Sequence, residues 1–235
     1  MSVFAHLVEQ LAELLTPLFH ASAAAAAIVL FTALVRLLVH PLSRAAARGR
    51  RAGAALQPKI AALREKHAGD PQRLRQKMLE LHAEEKVSPL AGCLPSLLQA
   101  PAFFLLYHLF SSSTIAGEPN GLLAHRLFAA PLGGRWADLL ADGGVLGPAG
   151  LVHLGLFAVV AALAAVSCRR ARRAMAQQPA PAVHGEAPGL GAATRVMPFL
   201  SFFTLVSVAV VPLAAALYIV TSTAWTAAEQ ALLSR

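Results

Sequence analysis

The sequence is poor in charged residues and in cysteine. Asp, Glu, Lys and Arg make up 14% of its 235 residues, whereas a soluble domain carries about 25%. Together with 57% hydrophobic residues and a mean hydropathy of +0.59, this deficit argues against a disordered chain and against a DNA-binding domain. It favours a membrane protein. Two cysteines exclude a disulfide scaffold.

No arrangement of residues indicates an enzyme. The sequence contains neither a P-loop nor a dinucleotide-binding glycine motif, so nothing points to nucleotide chemistry. Its nine histidines are dispersed, without the spacing that metal ligands require. An intramembrane protease would need a Ser/His or Asp/Asp pair within the apolar runs, and we find none. We therefore predict no catalytic residue, no metal site and no cofactor.

Five apolar runs have about the length that crosses a bilayer, which is roughly 20 residues. The last two form one continuous run divided by Pro212, and proline breaks or kinks a helix. One long kinked helix is the alternative, which would place the C-terminus on the other side of the membrane. We expect an all-α polytopic membrane protein, a five-transmembrane-helix bundle with spans at residues 21–41, 89–111, 150–168, 196–210 and 212–233.

The number of basic residues alternates between high and low in the successive segments outside these spans. Residues 42–88 contain eleven Lys and Arg and residues 169–195 contain five, whereas residues 112–149 contain two and residues 1–20 none. Because basic segments stay in the cytoplasm, we predict a multi-pass protein with its N-terminus outside and its C-terminus in the cytoplasm. Residues 112–149 are then an extracytoplasmic loop, and residues 169–195 a cytoplasmic one. The missing basic n-region also argues against a cleaved signal peptide.

Residues 1–20 predict an amphipathic helix that lies in the outer interface. One helical face is apolar and the polar side chains fall opposite; the apolar face consists of Phe4, Leu7, Leu11, Leu14, Leu15 and Leu18. A frayed extension is the alternative.

Residues 42–88 predict a cytoplasmic helical hairpin. Asp70 suits an N-cap and Pro71 the first position of the second helix. Pro58 is expected to start the first helix, which leaves residues 43–55 as a basic connector at the membrane surface. The ordinary interpretation of this segment is a topology signal that also binds anionic lipids. Docking to ribosomal RNA or to another membrane complex is the alternative.

A single arginine, Arg36, interrupts the first span. An arginine at a helix centre costs about 2.5–3.5 kcal/mol, so Arg36 either snorkels to the interface as a topology anchor or faces a water-filled cavity. Both interpretations stay open on the residues alone. Glu229, at the cytoplasmic end of the last span, is the nearest acidic candidate to neutralise it. The polar side chains that could line such a cavity are Thr32, Ser96, Gln99, Tyr107, Tyr218, Thr221 and Ser222.

Four motifs cover nearly all of the chain from residue 21 onward. They are a span with one arginine followed by a proline at 34–42, Leu-Gln-Pro-Lys-Ile at 56–60, a proline-rich stretch at 87–101, and the paired span at 197–230. In this order and spacing the sequence resembles the YidC/Oxa/Alb family of membrane protein insertases, most closely its bacterial YidC branch, and its composition is similar to actinobacterial members. The family usually has Gly, Leu, Trp and Asn where this chain has Ala214, Ala215, Ile219 and Thr223, which puts the fine packing of the last span in doubt.

The resemblance implies an insertase and chaperone of the bacterial plasma (inner) membrane, engaged in protein transport. Its five helices would surround a hydrophilic groove, open to cytoplasm and lipid and closed outside, in which Arg36 attracts acidic residues of an incoming membrane protein. Nascent membrane proteins, the ribosome and the Sec translocon are the implied partners. The alternative is a small secondary transporter or channel-like subunit that binds an anionic solute, although such proteins usually have internal repeats and we find none here.

Overall fold

The computed structural model describes residues 2–85, 94–115, 117–177 and 197–233, and these residues are mostly helical. Three 3-10 helices and two antiparallel strand pairs, β1–β2 and β3–β4, complete the secondary structure of this part. The predicted helical class is confirmed. In chain order the helices are α1 (Ser2–Phe19), α2 (Ala23–Leu38), α3 (His40–Lys66), α4 (Pro71–Glu84), α5 (Leu94–Ser111), α6 (Trp136–Ala141), α7 (Pro148–Gln177), α8 (Phe203–Val210) and α9 (Leu213–Leu233).

Two helical stretches of the described residues are long and apolar enough to cross a membrane, by length and composition alone. They are Val3–Leu38 and Pro148–Ala176. An interruption of the helical hydrogen bonding at Pro212 separates α8 from α9, as the sequence predicts. The count of five spans and their sidedness stay predictions, and residues 86–93 and 178–196, parts of the predicted second span and cytoplasmic segments, lie outside the described residues.

The chain forms two compact units. The first comprises Met1–Leu38, Pro101–Ser167 and Leu200–Arg235, and the second comprises Val39–Ala100 and Cys168–Phe199. In the first unit α2 packs against both α1 and α9. Small residues make this close approach possible, since the buried face of α2 is mostly alanine and meets a buried run of alanines at the start of α9.

Helix α1 packs through one side and exposes the other. Val8 and Ala12 are buried and Leu11 and Leu15 are partly buried against the core, whereas Phe4, Leu14 and Leu18 are exposed. The left-handed φ of +48° at His20 lets the chain turn between α1 and α2, which then pack on each other. The predicted helix is present, and its predicted apolar face is divided between residues that pack against the core and residues that are exposed. Its place in the membrane interface stays a prediction.

The segment between α5 and α7 is structured by side-chain capping. The Asn120 amide donates to the carbonyl oxygens of Leu109 at 2.8 Å and Ser112 at 2.9 Å. Leu109 belongs to the last turn of α5, whose carbonyls have no partner within the helix, and Ser112 directly follows that helix. The same side chain accepts a hydrogen bond from the Leu122 backbone at 3.2 Å.

This segment also caps the start of α9. Pro212 interrupts the helical hydrogen bonding there, and the freed N–H groups of Leu213 and Ala214 donate to the carbonyl oxygens of Gly134 and Leu132, at 2.9 and 2.8 Å. Leu132 is completely buried. Both α5 and α9 are therefore closed at this end by residues of the predicted extracytoplasmic loop.

In the second unit, α3 and α4 are separated by a short turn. Asp70 caps α4 by accepting from the Arg73 backbone at 3.0 Å, and Pro71 is its first residue, as predicted. An ion pair between Lys59 and Glu85 joins the two helices. Their cytoplasmic location stays a prediction.

The predicted connector at residues 43–55 is wrong, because these residues belong to α3, which continues through Pro58. Alanine and arginine are strong helix formers. Leu56 and Ile60 flank the proline and are both buried, so packing of their face offsets the backbone hydrogen bond that Pro58 cannot donate.

Candidate functional site

Arg36 lies near the end of α2 and is directed at α9. Its Nε donates to Ser222 Oγ at 3.4 Å, and the residue is half-buried. The neighbouring leucines behave differently, since Leu34, Leu37 and Leu38 expose 51%, 58% and 79% of their surface. The cation therefore does not follow the apolar outer face of its own helix, and this position favours the inward-facing interpretation over a snorkelling anchor.

The partner surface is one stripe along α9. Tyr218, Ser222 and Glu229 are spaced by four and seven residues, so they share a helical face. All three are buried, with 3%, 4% and 8% of their surface exposed. Glu229 lies two helical turns beyond Ser222 on this face. We define the Arg36 face as Arg36 together with these three residues.

Aromatic rings extend this face toward α5. Phe103 stacks on Tyr107 with ring centroids 6.1 Å apart, and it also contacts Tyr218 at 5.6 Å. Phe110 contacts Tyr218 from the other side at 5.9 Å. Sequence reasoning proposed both tyrosines but missed the two phenylalanines, whose helical spacing with Tyr107 was the available signal.

Two of the remaining predicted residues, Thr32 and Thr221, make no hydrogen bond to Arg36 among the described groups. Thr32 is completely buried, and its hydroxyl donates to the carbonyl oxygen of Ile28 at 2.7 Å. This hydroxyl is therefore already hydrogen-bonded within its own helix. Thr221 is half-buried beside Ser222. The side chains of Ser96 and Gln99 lie outside the described residues. The predicted polar lining of a groove therefore stays a prediction for these four positions.

A second polar region lies on another side of α9. A cavity of about 140 Å³ between α7, α8 and α9 is lined by four hydroxyl side chains together with Val160, Leu163, Ala164 and Val220. It has room for several water molecules. Sequence reasoning missed it, because hydroxyl residues inside apolar helices carry no periodic signal of their own. We call it the hydroxyl cavity, and its polar residues are Ser167, Ser201, Thr204 and Thr223.

Within the described part of the chain, no group of three or more His, Cys, Asp or Glu side chains is arranged to hold a metal ion. The chemistry that the Arg36 face offers is electrostatic. A guanidinium in a low-dielectric environment attracts a carboxylate much more strongly than one in water does.

Comparisons with known proteins agree with the sequence motifs. Residues 15–235 match the family model described as 60Kd inner membrane protein. The membrane protein insertase YidC of Ralstonia nicotianae is 46% identical over 93 residues, which are 39% of this chain and 17% of that protein. The protein of the same name from Polynucleobacter asymbioticus is 42% identical over 101 residues, 43% of this chain and 18% of that protein. The chain thus spans less than a fifth of the length of these relatives. Because the family model covers nearly the whole chain, this protein belongs to the 60Kd inner membrane protein family, the family of the YidC insertases.

Proposed function

We propose that this protein is a membrane protein insertase and chaperone, which inserts newly made membrane proteins and helps them fold. Its family and its long apolar helices support a protein of the bacterial inner membrane. The observation that carries the mechanism is the hydrogen bond from Arg36 to Ser222, which holds a cation against the interior of the first unit.

The cation serves to attract an acidic residue in the polar tail or loop of an incoming protein. Moving such a tail through about 30 Å of hydrocarbon is costly, because its backbone and charges lose water. A hydrated groove that reaches Arg36 shortens the dry distance. The charge on Arg36 then offsets part of the cost of dehydrating the carboxylate.

Apolar substrate helices would leave sideways into lipid. Supporting this route, the described helices present many exposed large apolar side chains, among them Leu37 and Leu38 of α2 and Phe203, Val206 and Val210 of α8. Each Å² of apolar substrate surface removed from water contributes about 25 cal/mol. The membrane potential adds about 2.3 kcal/mol per charge per 100 mV, so the proposal requires no ATP and no bond chemistry.

The predicted sidedness gives the groove one closed end. The capping of α5 by Asn120 and of α9 by the carbonyls of Leu132 and Gly134 supports closure on the outer side. Polar tails would then enter from the cytoplasm and lipid, and the outer segment would act as a plug.

The basic second unit is proposed to receive the nascent chain. Helices α3 and α4 carry most of the basic residues in residues 42–88. This charge suits contacts with anionic lipids and with the ribosome. The Sec translocon is a further proposed partner.

Complementation tests the proposal. Cells depleted of their own insertase would receive wild type, Arg36→Lys, Arg36→Ala or, as a matched control, Arg126→Ala in the predicted outer loop. The readout is insertion of a two-span protein whose N-tail carries an acidic residue. We expect wild type, the lysine variant and the control to rescue, and Arg36→Ala to fail.

Equal rescue by all four variants would reduce Arg36 to a topology anchor while leaving the insertase function in place. No insertion by well-expressed wild type would overturn the function itself, and solute-anion transport would then be measured instead.

A further inference from the structure

Five of the apolar helices together contain one acidic residue. Helices α2, α5, α7, α8 and α9 have no Asp or Glu except Glu229. Only 8% of its surface is exposed. A buried carboxylate is costly unless a cation or hydrogen-bond donors compensate its charge. The position of Glu229 relative to the cation Arg36 therefore matters.

Glu229 lies on the same stripe of α9 that holds Arg36. Ser222, the hydrogen-bond acceptor of Arg36 Nε at 3.4 Å, precedes Glu229 by seven residues, which is two helical turns or about 10.5 Å along the axis. Helix α2 packs against α9, and Arg and Glu side chains are long enough to shorten this separation. Because Glu229 is buried and Arg36 is half-buried, solvent screens their opposite charges less than it would at the surface.

We propose that Glu229 is an internal competitor for Arg36, which an acidic substrate residue has to displace. The inference rests on the proposed function, since it assigns a specificity role within the same site. In the resting protein, the carboxylate of Glu229 attracts the guanidinium and lowers its apparent affinity for other carboxylates, because a competing internal state always reduces apparent affinity by its population. A strongly acidic tail overcomes this competition, whereas a weakly acidic one does not.

The electrostatic part can be measured without any insertion. In full-length protein carrying Cys93→Ala and Cys168→Ala, Arg36→Cys provides a single thiol at the site. We would measure its rates of modification by a cationic and an anionic methanethiosulfonate in native membranes, with Glu229 present or replaced by Glu229→Gln. Removing the carboxylate should reduce the cationic-to-anionic rate ratio about 3- to 10-fold.

A charge-relocation variant is the matched control. Glu229→Gln combined with Gln230→Glu keeps the composition and net charge but moves the carboxylate to an exposed neighbouring position. We expect this double variant to show the reduced ratio of Glu229→Gln. A ratio as high as that of the Glu229 protein would mean that a carboxylate anywhere near this end of α9 suffices, which overturns the assigned role of the buried one.

Insertion then tests the competition. In protein with Arg36 intact, Glu229→Gln should raise insertion of a substrate with one acidic tail residue by about 3- to 10-fold under limiting conditions, and should leave the matching amide substrate unchanged. A thermal unfolding curve of each variant in detergent shows that the variants are folded.

The outcomes separate the inference from the proposed function. An unreactive thiol at position 36 would show that no reagent reaches the site, which overturns the hydrated groove and the inference with it. A reactive thiol whose charge preference ignores Glu229, or equal insertion of the acidic substrate by wild type and Glu229→Gln, overturns the inference alone.

Discussion

Two faces of α9 carry polar residues, and they differ in charge. The Arg36 face contains a guanidinium bonded to Ser222 and, two turns further along α9, the buried carboxylate of Glu229. The hydroxyl cavity, on another side of the same helix, contains four hydroxyls and no ionisable group among its lining residues. Hydroxyls inside a helix can bond to their own backbone, as Thr223 does to the carbonyl oxygen of Ile219 at 2.7 Å. A buried charged group is not satisfied by a single hydrogen bond to the backbone of its own helix.

The difference teaches that polarity inside a bundle of apolar helices does not by itself mark a functional surface. A hydroxyl satisfied by its own helix is compatible with a purely structural role. A cation turned away from an exposed leucine face is not explained by packing, and this is why the proposed function is placed on the Arg36 face.

The largest effect is expected from reversing the charge on that face. Arg36→Glu should lower insertion of a substrate with an acidic tail at least about ten-fold, because the new carboxylate repels the substrate and adds to the field of Glu229. The measurement is insertion of paired substrates with acidic and basic tails. Recovery with the basic tail would support an electrostatic role, whereas equal loss of both substrates would point to misfolding.

The second-largest effect is expected on protein stability, from a substitution in α7, the helix that forms one wall of the hydroxyl cavity. A Cβ at Gly150 would lie 1.9 Å from the carbonyl oxygen of Val145, so Gly150→Ala should force the start of α7 to shift and destabilise the protein by about 1–3 kcal/mol. Unfolding in detergent measures this. The control is Gly155→Ala, where a Cβ meets nothing within 4 Å; equal stability of the two variants would contradict the prediction.

A smaller effect is expected from substitutions at Ser222 and Thr223, adjacent residues that lie on the two different faces of α9. Ser222→Ala removes the acceptor of Arg36 and should reduce acidic-tail insertion about 2- to 5-fold. Thr223→Val removes a hydroxyl that bonds only to the Ile219 carbonyl among the described groups, and should change insertion less than about two-fold. Insertion rates at matched expression measure both. A larger loss for Thr223→Val would move the functional surface to the hydroxyl cavity.

The smallest effect is expected for an ion pair that is exposed to solvent. In α4 the hydrogen bond from Lys77, 2.5 Å from the carboxylate, lowers the pKa of Glu80. Since the folded-state pKa is lowered, the contribution of this pair to stability is present above the ordinary carboxyl pKa and is lost as the pH falls through the lowered value. Solvent screening keeps that contribution small.

Lys77→Ala should raise the pKa of Glu80 toward its ordinary value, and Arg75→Ala should not. A pH titration of the Glu80 carboxyl signal by NMR of the full-length protein measures both. An unchanged pKa in the Lys77 variant would show that the pair is not formed in solution.

Much of the fold follows from local rules that a sequence displays. The Asp70 cap and Pro71 start of α4 are encoded by adjacent residues, and Pro212 separates α8 from α9 because its own ring removes a hydrogen-bond donor. The error at residues 43–55 has the same origin. A proline rule applied at Pro58 outweighed helix propensity in the prediction, whereas in the structure the buried face around Leu56 and Ile60 keeps α3 continuous.

The candidate site likewise contains some residues that the sequence predicts, whereas other residues are recognised only in the structure. A lone arginine in an apolar run is visible in the sequence, so Arg36, Tyr218 and Ser222 are candidates on residue type and spacing alone. Thr32 is a candidate by the same reasoning, although its hydroxyl is satisfied within its own turn. Asn120, which closes the end of α5 from eleven residues away, gives no local signal because its acceptors are ordinary backbone carbonyls.

Composition, helical class and family motifs were determined by the sequence itself, because each depends on residue type and on spacing within one segment. Which way Arg36 faces was decided only by the tertiary structure. The two candidate directions differ by the packing of α2 against α9, a contact between residues 186 positions apart, and the balance between lipid and interior depends on neighbours that no local pattern specifies. The same packing separates the charged face of α9 from its hydroxyl cavity.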